Sequence, residues 1–132
     1  MAGLYLHIPF CKRVCAYCDF YKSADLRPMK AVVEAMHDEL RREAGFLPAE
    51  QLRTIYFGGG TPTSLEAGEI DAILCKLDQL FDLSRALEFT VEAGRPDTIT
   101  REKLEVLREH GIERISINPQ TMSDQVLQAI GR

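Results

Sequence analysis

Short β-type runs and longer helical stripes alternate four times along the chain, and this order restricts the fold more than any other feature. Leu4 to Ile8 reads as a first strand. Pro28 then opens a helix to about Gly45, with Met29, Val32, Val33, Met36 and Leu40 recurring on one face. Thr54 to Phe57 reads as a second strand, ended by Gly58, Gly59 and Gly60. Thr63 to Glu66 has the spacing of a capping box, and Ile70, Ile73, Leu74, Leu77 and Phe81 form the next apolar stripe. A third strand over Leu87 to Glu92 precedes a helix from Thr100 to Gly111, whose glycine suits a helix C-terminus. Arg114 to Asn118 is the fourth strand, and Ser123 can cap a last helix carrying Val126, Leu127 and Ile130. Alternation of this kind implies an α/β fold, a parallel sheet built from four βα units with right-handed crossovers.

In such folds ligands bind outside the carboxyl ends of the strands. Each unusual segment of this sequence falls at that rim. Cysteines follow the first strand, glycines follow the second, Glu92 ends the third, and Asn118, Pro119 and Gln120 follow the fourth. Four βα units cannot close an eight-stranded barrel, and an open parallel edge exposes unpaired backbone. Either a partner covers that edge or the chain, residues 1–132 read as one domain, is a fragment of a longer protein, and the fragment is the favoured expectation.

Composition excludes several functions. A formal charge of -4 argues against a nucleic-acid surface. No apolar run approaches the roughly 18 residues of a membrane span, and no signal peptide is evident. Three of the four cysteines cluster in one loop, which suits reduced thiols and a cytoplasmic protein better than a secreted disulfide framework. The solitary Cys75 reads as a buried small hydrophobe. The charges at Asp38, Glu39, Arg41, Arg42 and Glu43 read as a solvated helix face.

Cys11, Cys15 and Cys18 form a C-x3-C-x2-C run. Three thiolates can hold a metal centre without completing four-fold ligation, whereas structural zinc sites and electron-transfer clusters normally use four protein ligands. One reading is a four-iron cluster with one iron open to a ligand. A second is zinc, with His7 as fourth ligand, and a third is unrelated buried thiols. The triple glycine allows close approach of a ligand and exposure of backbone N–H groups to an anion, or simply a tight turn. The Thr61 hydroxyl can bind a ligand or hold that turn. Glu92, ending an apolar strand, calls for a cationic partner: a ligand ammonium or Arg95. Gln120 can aim its amide into the same rim or serve as ordinary loop polarity.

Taken together, the run Tyr5 to Phe20, the segment Tyr56 to Leu65, the strand Phe89 to Ala93 and the run Arg114 to Met122 resemble the radical S-adenosylmethionine (SAM) superfamily. They are most similar to the branch of oxygen-independent coproporphyrinogen III oxidases and their HemW and HemZ relatives. The resemblance implies the N-terminal part of a partial (β/α)6 TIM-like barrel, with a [4Fe-4S] cluster on Cys11, Cys15 and Cys18. It implies SAM contacts from Tyr5, Tyr17, Gly59, Gly60, Thr61, Glu92 and Gln120, and a contact from Arg132 to a second SAM. The activity it implies is radical SAM oxidoreductase chemistry, the oxidative decarboxylation of porphyrinogen propionates in haem biosynthesis. An electron donor such as flavodoxin or ferredoxin is implied as partner. The alternative within the branch is a HemW-like haem chaperone that binds cluster and SAM without oxidase activity. No catalytic side chain is assignable, and the fragment by itself is expected to be inactive. The well-characterised oxidase of the branch carries a further cysteine where this chain has Phe20. That departure resembles HemW, whereas Val91 to Asp97 and Ile117 to Met122 resemble HemZ.

Overall fold

The structure, a computed structural model, describes residues 2–46 and 52–132. The element order is β1 (Ala2–Ile8), α1 (Met29–Glu43), β2 (Leu52–Gly59), α2 (Ala67–Leu80), β3 (Glu88–Glu92), α3 (Arg101–Glu109), β4 (Arg114–Ser116) and α4 (Asp124–Ala129). The strands form one parallel sheet in the order β1-β2-β3-β4, so each helix returns the chain to the next position along the sheet.

Register separates the side chains into two faces, because successive residues of a strand point to opposite sides. Leu6, Phe57, Val91 and Ile115 lie in one register row, with Leu4, Ile55 and Phe89 in another on the same face. This face meets the apolar stripes of the helices. Val33 and Leu40 of α1, Ile70, Ile73, Leu74 and Leu77 of α2, and Leu107 of α3 join it in one buried cluster. The opposite face is polar: Tyr5, Tyr56 and Thr90 share a row, and His7, Gly58 and Glu92 lie beyond them. With α1, α2 and α3 packed on the apolar face, the other face is left free to carry chemistry.

Several element ends differ from the sequence reading. β2 runs longer than Thr54–Phe57, whereas β4 stops at Ser116, because Ile117 and Asn118 leave β3 behind. The capping box sits three residues later than expected. Glu66 occupies the N-cap of α2, and its backbone N–H donates to the Glu69 carboxylate at 2.9 Å. Thr63 is instead in a buried 3-10 turn, Pro62–Ser64, held by Pro62. Thr100 and Ser123 do cap α3 and α4, accepting from the Lys103 and Val126 backbone N–H groups. Gly111 takes φ +71° after α3, the left-handed conformation that favours glycine.

Candidate functional site at the carboxyl rim of the sheet

The cysteine loop is built on β1. Beyond Ile8 the chain makes a parallel bridge between Phe10 and Ser23, with Cys11 N–H donating to Ser23 O at 3.0 Å and Ser23 N–H to Pro9 O at 2.6 Å. That bridge closes the base of the loop. Within it, Cys18 N–H donates to Cys15 O at 3.2 Å, a turn that brings the second and third cysteines near each other. The Lys22 ammonium donates to the Cys18 and Phe20 carbonyls, which ties down the loop's return path.

Gly60 pins β2 beneath this loop. Its N–H donates to Ile8 O at 2.7 Å, and the Thr61 N–H donates to Phe10 O at 2.8 Å. These two N–H groups are therefore spent on the Ile8 and Phe10 carbonyls, at the end of β1 and just beyond it, and do not face a ligand. What the glycines supply is closeness. A Cβ at Gly60 would lie 2.7 Å from Phe10 O, and one at Gly59 would lie within 2.9 Å of the His7 ring. Gly59 also has φ +103°, which side-chain-bearing residues rarely adopt.

A cleft of about 160 Å³ opens above the strand ends. Cys11, Cys15, Cys18, Tyr17, Gly59, Gly60, Thr61, Glu92, Gln120 and Arg132 all line it, so the rim brings together every residue expected to hold the cluster or SAM except one. Tyr5 is the exception. It lies lower on the polar face, stacked on Tyr56 with ring centroids 6.2 Å apart. Tyr56 in turn donates to Glu92 at 2.7 Å, which joins Tyr5 to the cleft through one intermediate ring. Burial and the Glu92 charge raise the Tyr5 phenol above its ordinary value. Donation to Glu92 pushes the Tyr56 phenol up to about 12.

Glu92 thus pairs with Tyr56 and not with Arg95, one of the two partners offered for it. The Arg95 guanidinium donates to Cys15 Sγ at 3.1 Å and to Arg13 O at 3.0 Å. The Thr61 hydroxyl, buried under the loop, donates to Cys11 Sγ at 3.5 Å. Two of the three loop sulfurs therefore already accept hydrogen bonds. Gln120 holds φ +68° with its N–H on the Asn118 side chain, a local turn that lifts it into the rim. Arg132 clamps two strand-end loops together by donating to Gly94 O and Asn118 O.

His7 is engaged at both ring nitrogens. Nε2 faces Tyr21 O at 2.8 Å, so it carries the proton, and Nδ1 accepts from the Tyr5 hydroxyl at 3.0 Å. It is an orienting strand histidine, and the zinc reading loses its fourth ligand. The sulfurs argue the same way. Among the described residues, the one group placing three metal-binding donors within 4.8 Å of one another lies elsewhere. The loop thiols as placed do not form such a group, and three thiolates without a fourth protein ligand suit a cluster with one open iron.

Sequence reasoning missed Tyr56, Arg13 and Lys22 at this site, and it placed Arg95 with Glu92 where the structure places it with Cys15. Four cationic side chains (Arg13, Lys22, Arg95 and Arg132) line the cleft against one carboxylate, Glu92. The signal was present in the basic residues flanking the cysteines, but their direction depends on tertiary packing.

The Radical SAM superfamily model matches residues 5–132. The chain belongs to the radical SAM superfamily. It is 44% identical over 136 residues to the oxygen-independent coproporphyrinogen-III oxidase-like protein HemZ of Bacillus subtilis, covering 98% of this chain and 27% of that protein. It is 38% identical over 134 residues to the haem chaperone HemW of the same organism, covering 100% of this chain and 35% of that protein. Coproporphyrinogen III oxidase (HemN) of Escherichia coli, a radical SAM enzyme of known structure, superposes with a TM-score of 0.86 at 29% identity, over 98% of this chain and 30% of HemN. The four-stranded sheet resembles the N-terminal part of that radical SAM fold. The chain spans about a third or less of the length of these relatives. Its radical SAM relatives are haem-related, under names that include both oxidases and chaperones.

The cofactors that a radical SAM fold implies suit these residues. Three free cysteines in a loop lined by cations match an anionic iron–sulfur cluster whose thiolate charge needs compensation. No helix of the described residues is long and apolar enough to cross a membrane.

Proposed function

We propose that this chain is the cluster- and SAM-binding part of a porphyrinogen-processing radical SAM protein of the coproporphyrinogen dehydrogenase type. The supporting observation is the convergence of Cys11, Cys15 and Cys18 with Gly60, Glu92 and Gln120 on one cationic cleft at the carboxyl rim. Cys11, Cys15 and Cys18 would hold a [4Fe-4S] cluster, and its open iron would face the cleft. When bound and reduced, the cluster supplies the electron that cleaves SAM and yields a hydrogen-abstracting radical.

The chain's own residues orient and compensate. Arg95 and Thr61 stabilise the thiolates of Cys15 and Cys11 by hydrogen bonding. Glu92, held by Tyr56, presents a carboxylate suited to the SAM ammonium. Gly59 and Gly60 let the cofactor approach the strand ends without a Cβ in the way. Tyr17, half-exposed at the mouth, and Gln120 offer further SAM contacts. Arg132 spends its guanidinium on two backbone carbonyls, so in this reading it shapes the pocket wall as well as offering charge to a second SAM. The substrate reaction is oxidative decarboxylation of porphyrinogen propionates to vinyl groups, with an electron donor of the flavodoxin or ferredoxin class.

A second reading is a haem chaperone. Phe20, exposed at the cleft where the well-characterised oxidase of the branch carries a cysteine, favours it, as does the 38% identity to HemW. Anaerobic reconstitution of the full-length protein with iron and sulfide, followed by reduction with SAM and coproporphyrinogen III, separates the two. Vinyl product supports the dehydrogenase; stable haem binding without turnover supports the chaperone. Cluster absorption that survives Cys11→Ala, Cys15→Ala and Cys18→Ala would overturn both.

A further inference from the structure

Cys75 is not buried as its isolation in the sequence suggested. It is exposed on α2, one turn after Asp71, and i, i+4 spacing puts both side chains on the same helix face. His110, the C-cap residue of α3, reaches across to that face. Its Nε2 lies 2.8 Å from Asp71 Oδ1 and 4.0 Å from Cys75 Sγ, while Asp71 Oδ1 and Cys75 Sγ are 3.9 Å apart. A carboxylate oxygen, a thiol sulfur and an imidazole nitrogen thus form a compact triangle, all within 4.8 Å of one another.

We propose that Asp71, Cys75 and His110 form a second metal site, for a divalent ion of the zinc class, with solvent as the fourth ligand. Three arguments carry it. Tetrahedral zinc with bonds of about 2.0–2.3 Å places its ligands roughly 3.3–3.7 Å apart. Small side-chain rotations bring the three donors to that spacing. Thiolate and imidazole together select zinc-like ions over magnesium or calcium, which prefer oxygen. The third argument lies on the far side of the ring. Asp78 Oδ2 is 3.2 Å from His110 Nδ1 and Asp71 Oδ1 is 2.8 Å from Nε2, so both nitrogens donate to carboxylates, and an incoming cation would displace the Nε2 proton while Asp78 keeps the one on Nδ1. A carboxylate behind a histidine in this way is the arrangement that orients metal-bound imidazoles.

His110 is largely buried between α2 and α3, with 14% of its side chain exposed, whereas Asp71 and Asp78 are half-exposed. The ring is therefore fixed and the open coordination position faces water. Two carboxylates beside one thiol make the spot electronegative. Burial, then the charges of Asp71 and Asp78, push the Cys75 thiol up, which an incoming cation would reverse. His110 precedes β4 and Asp78 ends α2 ahead of β3, so the site lies at the amino ends of the strands, opposite the cysteine cleft. A metal there would cross-link two neighbouring helices and take no part in the cleft chemistry.

The test uses the full-length protein with its loop cluster assembled, so that Cys11, Cys15 and Cys18 are occupied, after removal of adventitious metal by a chelator. Zinc added alone should bind as one further equivalent and abolish alkylation of the Cys75 thiol, read by peptide mass spectrometry. Cobalt(II) added instead should give thiolate charge-transfer absorption. Cys75→Ser should remove that band, and Asp78→Asn should weaken cobalt binding by about 10–100-fold. Both positions are solvent-accessible, so the variants should fold. Unchanged alkylation with zinc, or a cobalt band that persists in Cys75→Ser, overturns the proposal. Neither result bears on the loop cluster, which is read from its own absorption.

Discussion

Replacing Gly60 by alanine should damage the site more than any other single methyl addition among the glycines near it. Gly60 does not have the positive φ that favours glycine, so the cost is steric. The new Cβ would meet Phe10 O at 2.7 Å, Ile8 O at 2.9 Å and Phe10 N at 3.0 Å. All three are backbone atoms, and none can rotate away. Relief requires β2 to withdraw from β1, which stretches the Gly60 N–H bond to Ile8 O and the Thr61 N–H bond to Phe10 O. Each such bond is worth about 1 kcal/mol, and overpacking adds about 1–3 kcal/mol. The expected loss is therefore roughly 3–5 kcal/mol, a large share of the roughly 5–15 kcal/mol that holds a typical domain. Urea denaturation of the full-length protein measures it. Cluster content after reconstitution reads the local effect, since Phe10 is joined to Cys11. Gly68→Ala is the control, because nothing lies within 4 Å of its Cβ and it sits inside α2. Helix propensity should make that variant more stable by up to about 1 kcal/mol. If Gly60→Ala lost less than about 1 kcal/mol and kept a full cluster, the reasoning from backbone contact would be refuted.

Three further outcomes are expected. Lys103, buried with its ammonium donating to Thr63 O at 2.9 Å and Thr98 O at 3.3 Å, links the turns after β2 and β3; Lys103→Met should cost about 2–4 kcal/mol in urea denaturation, and a neutral result would show that these bonds add nothing. The Tyr56 phenol is raised to about 12 from an ordinary value near 10, chiefly by its bond to Glu92. Its contribution to stability should be fully present below pH 10 and fade as pH rises towards 12, so the difference between wild type and Tyr56→Phe should narrow across that interval. A difference independent of pH there would contradict the bond. On the proposed cluster, Arg95→Gln removes a charged donor from the Cys15 sulfur; a differential near 1 kcal/mol corresponds to roughly 40 mV, and the potential should become more negative by about that amount. An unchanged potential in an EPR-monitored titration would show that Arg95 does not act on the cluster.

The sequence by itself determined the element order and the place of the rim. Period-2 and period-3.6 apolar patterns are local, and they set β1 to β4 and the helices between them within a few residues. Because strand-to-helix loops in a parallel sheet all fall at one edge, Cys11, Gly60, Glu92 and Gln120 could be grouped before any contact was known. Pairing within that edge was a different matter. Glu92 meets Tyr56, 36 positions away, in place of Arg95, three positions away, because β2 and β3 are adjacent and their polar faces align. Arg95 is thereby free to reach Cys15, a partner 80 positions distant. The N–H groups of Gly60 and Thr61 were consumed by the Ile8 and Phe10 carbonyls, a pairing that no motif reveals. Cys75 shows the limit most plainly: helix spacing puts it one residue from the buried Leu74, yet only the lateral packing of α2 against α3 decides that it faces His110 and water. Periodicity fixes which residues share a face, but which faces meet depends on contacts between segments far apart in the chain.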